Sequence, residues 1–201
     1  MTHAGKSGGP LLERTIAEIR AEFPDFRIVA KRDHALSKVI DLLLRVLTLG
    51  AQHQYLTHYH TVLGNTLYVP DRWESTSDVD RVITLRHERV HLRQRRRYGD
   101  LLMAFLYVFP FLPLGLAYGR ARIEWEAYSE SIRATAELQG YDAAASPSLR
   151  AHIVRQFVSG AYGWMWPFPR IVEKWYEAVL QGIRMGTGQA SGHSGDPRGV
   201  A

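Results

Sequence analysis

Residues 77–99 read SDVDRVITLRHERVHLRQRRRYG, and the organisation of the chain follows from them. Ser77 and Asp80 form a Ser-x-x-Asp box, a start signal in which short polar side chains satisfy the free N–H groups of a first helical turn. Gly99 supplies the stop, because glycine adopts the left-handed conformation that ends helices without steric cost. The spacing predicts one helix from Ser77 to about Tyr98. Arg93, Arg95, Arg96 and Arg97 crowd its last turns, where cations favour the exposed carbonyl end of the helix dipole.

Inside that helix lies His87-Glu88-Arg89-Val90-His91, an HExxH sequence. Histidines four apart stand one above the other on a helix face, so both imidazoles can grip one ion. Glu88 is offset by one residue. It is free to act as general base toward the water on the metal. With the histidine and glutamate content of this chain, the pattern arises by chance roughly 0.02 times, treating positions as independent. The chain has no cysteine, so thiolate ligands, disulfides and cysteine nucleophiles are excluded, and any transition-metal site must use His, Asp or Glu. Neutral imidazole with carboxylate suits Zn2+.

A catalytic zinc site needs a third protein ligand and an open position. The metzincin pattern would put Gly at 94 and His at 97, where this chain has Gln94 and Arg97, and no histidine lies between His91 and His152. A downstream carboxylate is left. Glu124-Trp125-Glu126-Ala127-Tyr128 offers two. Glu126 shares a helical stripe with Glu130, Arg133 and Glu137, which reads as a solvated face with i,i+3 and i,i+4 pairs. Glu124 shares its stripe with Ala127, Tyr128, Ser131, Thr135 and Leu138, mostly small residues that let two helices approach closely. The stripe favours Glu124 as ligand over Glu126.

With Glu124, Ala127 and Tyr128 after HExxH, the chain resembles the gluzincin metallopeptidases across about residues 55–139. Their second motif is Glu-x-x-small-Asp on a later helix, with the Glu as third ligand. Tyr128 stands where the family has the Asp that orients its first zinc histidine. The resemblance implies a mainly helical α+β, zincin-like domain, with a small sheet ahead of the active-site helix and VLGNTLYVP as the edge strand that holds an extended peptide. It also implies zinc-dependent hydrolysis of a peptide or protein substrate. Tyr118, Tyr128 and Tyr162 are candidates to stabilise the oxyanion. The rival readings are a non-catalytic metal-containing or membrane-associated binding module, and a metal hydrolase acting on other substrates.

The 201 residues, 46% of them hydrophobic, suit a single domain. MTHAGKSGGP has no apolar core and is expected to be a flexible lead-in rather than a secretory signal, which points to the cytoplasm. Helices are expected over 11–22, 35–49, about 120–139, about 148–158 and about 170–184. Phe26–Ala30 reads as a strand and 55–70 as a hairpin turning at Gly64-Asn65, with 141–149 as a loop. The domain is expected to span 11–185, and the Gly/Ser-rich residues 186–201 form a disordered tail. His53, His58 and His60 suit a surface or cleft role better than a second metal site.

Residues 101–119, LLMAFLYVFPFLPLGLAYG, carry no charge. Pro110 and Pro113 divide the run, and a ligand on each side of it is incompatible with a simple bilayer crossing. A buried helix and loop beneath the site is the favoured expectation, and membrane contact through 101–119 stays open. The net charge of +5 permits an acidic partner. The arginines that supply the local excess close a helix, and no nucleic acid is expected.

Overall fold

The computed structural model describes residues 8–30, 61–108, 115–159 and 165–191. The expected helix 35–49, the three histidines 53, 58 and 60, Tyr162 and the middle of the apolar run lie outside the described residues. The protein is mainly helical with one small sheet.

Helix α1 (Pro10–Glu22) begins with proline at its first turn, where the missing N–H costs nothing. The end of the expected lead-in is tied down: the Gly9 amide donates to Asp78 Oδ2 at 2.5 Å, and a side chain at Gly9 would meet that oxygen. Strand β1 (Arg27–Ala30) follows, and β2 (Thr61–Leu63) and β3 (Thr66–Val69) form the expected hairpin about Gly64, whose φ is +61°. Strand β3 lies in the centre, parallel to β1 and antiparallel to β2. The segment expected as one edge strand is therefore two strands, and among the described residues β2 is at the edge.

After a 3-10 turn (Asp71–Ser75) comes α2 (Asp78–Tyr98), bounded as its end signals require. Ser77 Oγ accepts from the Asp80 amide at 3.1 Å and donates to Asp80 Oδ2 at 2.7 Å, and Gly99 has φ +82°. Helix α3 (Asp100–Val108) follows at once, and α4 (Gly115–Gln139) starts five residues before the expected position. Gly119 does not mark a boundary. A Cβ there would stand 3.1 Å from Leu106 Cδ2, so the glycine lets α3 lie close on α4. Gly140 ends α4 as expected.

The expected loop after Gly140 contains a one-turn helix, α5 (Tyr141–Ala144), and leads to α6 (Pro147–Val158). Helix α7 (Pro169–Ser191) continues past Gly182 and Gly186 into the stretch expected as a tail.

Two apolar clusters flank the pairing of α2 with α4. Ile19 and Phe23 of α1, Leu67 of β3, and Val82, Leu85 and Leu92 of α2 form one. Trp125 and Ile132 of α4, Phe157 of α6 and Tyr176 of α7 belong to the other, where the Tyr176 hydroxyl donates to the Ala144 carbonyl at 2.6 Å. The expected burial of the apolar run holds only in part. Met103 is buried, but Leu101 is 89% and Leu102 46% exposed. Among the described residues no helix is long and apolar enough to cross a membrane.

Candidate metal centre

Helix α2 spends its Val82–Leu85–Leu92 side on the first core and turns His87, His91 and Gln94 toward α4. Helix α4 answers with Glu124, Tyr128 and Ser131, one above another at helical spacing. His87, His91 and Glu124 are thereby brought together, with one ligating atom from each within 4.8 Å of the others. The two Nε2 atoms are 3.2 Å apart, and Glu124 Oε2 lies 3.6 Å from His91 Nε2 and 3.9 Å from His87 Nε2. Zinc bonds of 2.0–2.2 Å in tetrahedral geometry place neighbouring ligand atoms roughly 3.3 Å apart. The three donors thus stand at the separation a zinc ion requires, with only small adjustments.

The outward nitrogens of both rings are held. His87 Nδ1 is 3.1 Å from Ser131 Oγ, and that hydroxyl donates to the Ala127 carbonyl at 3.3 Å. A serine whose proton is so committed accepts from Nδ1–H, which turns Nε2 toward His91 and Glu124. Ser131, one helical turn beyond Tyr128, thus orients the His87 ring. His91 Nδ1 is 2.9 Å from Gln94 Oε1. The Gln94 amide nitrogen donates to the Ile123 carbonyl at 2.9 Å and to Glu126 Oε2 at 2.8 Å. Two acceptors on the nitrogen side fix the amide, so its oxygen must face His91 Nδ1–H. Both histidines accordingly present Nε2 and are oriented through Nδ1, the usual outer support of a metal site.

Glu124 is buried at 3% exposure and Glu88 at 8%. Burial, the largest influence, pushes the His91 imidazolium toward deprotonation, but the Glu124 carboxylate opposes it by its charge and a hydrogen bond. With help from Glu88 and the Gln94 amide, it holds the ring at about 9. A concentrated negative field at the imidazole nitrogens is what a divalent cation would meet there.

Glu126 is exposed and bonds to Gln94. Its stripe is solvated as expected at Glu126, Arg133 and Glu137, but its acids pair across to the neighbouring helix. Glu130 and Glu137 reach across to Arg86 of α2, at 2.6 and 2.5 Å. Tyr128 sets its ring edge-on to His87, with centroids 4.8 Å apart, and packs on Phe157 behind. Tyr118 packs on Trp166. Gln94 and Ser131 were missed as site residues by sequence reasoning. Gln94 lies one turn past His91 on the same face, and Ser131 is in the Glu124 stripe, so a search of both faces for short polar partners would have found them.

Comparison of the chain with family models, with curated proteins and with solved structures finds no match. The functional reading accordingly stands on the geometry and chemistry of these side chains.

Proposed function

We propose that this chain is a zinc-dependent metallopeptidase with a zincin-like arrangement, in which His87, His91 and Glu124 hold the metal and Glu88 is the general base. The carrying observation is the three-donor cluster with both Nδ1 atoms held from outside, because that arrangement turns both Nε2 atoms and the Glu124 carboxylate to one focus. The protein fits the ion by donor type as well as by spacing, since two imidazoles and a carboxylate match catalytic zinc sites that keep one position open. Bound there, zinc would acidify a coordinated water and polarise a substrate carbonyl.

The chain's own residues do the rest. Glu88, next to His87 in sequence and buried beside the cluster, takes the proton of the attacking water as the new C–O bond forms. It then hands that proton to the amine nitrogen as the C–N bond breaks. Tyr128, lying against His87, is the proposed donor to the carbonyl oxygen as charge gathers on it. Strand β2 supports a peptide or protein substrate, since an edge strand pairs with an extended chain through its backbone. It packs on α2, the helix of the metal ligands.

The test uses Glu88→Gln. The variant should keep zinc through extensive dialysis while hydrolysis of an unfolded protein falls about 10²- to 10⁴-fold. Wild-type cleavage should stop on addition of a chelator. Cleavage by Glu88→Gln at the wild-type rate would overturn the assigned base, and a wild-type protein that dialyses free of zinc would overturn the reading.

A further inference from the structure

We propose that the protein docks flat on an anionic lipid bilayer through α3 and the aromatic group Tyr118, Trp166 and Phe168. Helix α3 presses Met103 inward and leaves Leu101 and Leu102 open to solvent, an unusual exposure for consecutive leucines in a helix that is apolar after its first residue. On the adjoining helix Gly119 touches Leu106 of α3, and its neighbour Tyr118 is 43% exposed. The Tyr118 ring lies 5.1 Å from Trp166, which lies 5.0 Å from the half-exposed Phe168. Leucines and amphipathic aromatic rings thus continue from one element to the next, the composition that lodges in the boundary between headgroups and acyl chains.

Charge selects the occupant. Of the arginines around α3, Arg93 and Arg96 pair with Glu22, Arg95 pairs with Asp100 and Arg120 is buried. Arg97, Arg122 and Arg170 are exposed and supply the cations. Arg97 lies over the Tyr98 ring at 5.2 Å and Arg122 near the Trp175 ring at 6.0 Å, so cations border the apolar surface. An apolar strip edged by the exposed cations Arg97 and Arg122 complements a sheet of phosphate headgroups. No described helix can cross the bilayer, and α3 at nine residues is only about 13 Å long, which leaves in-plane binding. This surface uses none of the metal-site residues, so it stands or falls separately from the hydrolase reading.

The test is co-sedimentation of the full chain with vesicles of phosphatidylcholine mixed with phosphatidylglycerol, and with vesicles of phosphatidylcholine alone. Binding is expected to the mixed vesicles and to weaken with added salt. The double variant Leu101→Asp, Leu102→Asp should lower it about tenfold or more. Arg97→Gln with Arg122→Gln should lower it about thirtyfold on the mixed vesicles and little on the neutral ones. Circular dichroism checks that the variants keep their helices, and the arginine pair, being exposed, tests the same surface without touching the apolar residues. Absence of vesicle binding, or binding that neither pair of substitutions reduces, would overturn the proposal. So would light scattering that shows wild-type dimers, split by Leu101→Asp, with no affinity for lipid.

Discussion

Two acidic residues of α4, Glu124 and Glu126, stand two positions apart and meet different fates. Glu124 is buried against two imidazoles of α2, while Glu126 is exposed and accepts a hydrogen bond from the Gln94 amide. Two residues along a helix is a rotation of about 200°, or 160° the other way, so the pair cannot present both carboxylates to one point. The difference teaches that the character of a carboxylate here is set by what α2 places opposite it. Facing His87 and His91 it becomes a candidate ligand, whereas facing Gln94 it orients a ligand's support, and Glu130 facing Arg86 becomes a strut.

The sharpest way to break this contrast is to exchange side chains along α4. Glu124→Ala should cost zinc affinity by more than about 100-fold, beyond what loss of an outer partner costs, whereas Glu126→Ala should change it less than about tenfold. Competitive titration with a chelating dye reads both, and equal losses would erase the distinction. Ser131→Ala and Gln94→Leu should each weaken zinc by about 10- to 100-fold with the ligands intact, because an unheld ring is free to turn. Restored affinity in Ser131→Thr would mark the hydroxyl as the operative group. Arg86→Met removes the strut without touching the ligands. It should cost about 1–2 kcal/mol and lower the melting temperature by roughly 2–8 °C, with zinc affinity nearly unchanged.

The smallest effect is expected on the other flank of α2, where Glu22 of α1 meets Arg89 and Arg93 at 2.7–2.8 Å. The Arg93 guanidinium, with that of Arg89, lowers the Glu22 carboxyl from 4.5 to about 2 against the opposing effect of burial. A carboxyl lowered on folding stabilises the native state above its unfolded value, so this contribution is present above about 4.5 and fades as the pH falls toward 2. Melting curves taken from pH 5 downward should therefore fall more steeply for wild type than for Glu22→Gln.

How far the sequence could be read follows from the range of each interaction. The limits of α2 were readable because Ser77, Asp80 and Gly99 act on their own helix ends. The hairpin was readable from Gly64-Asn65 and the β-branched residues around it. The Glu124 side of α4 was readable because small residues at helical spacing announce a close neighbour. The start of α4 was not, since Gly119 looks like a boundary until Leu106 is seen against it. The exposed side of α3 was hidden for a related reason: an apolar run tells of a preference for burial, and no local rule says which side of a short helix finds cover. The struts from Glu130 and Glu137 to Arg86 join residues more than forty apart, beyond the reach of any spacing argument.

Gln94 grips α4 at Ile123 and Glu126, on either side of Glu124 in the chain. A slide of α4 along α2 by one residue, about 1.5 Å, would withdraw the third ligand and the brace of the second histidine in the same motion. An ion captured by the cluster would act as a rivet between the two helices, and the docking of α2 on α4 would tighten as the concentration of free metal rises.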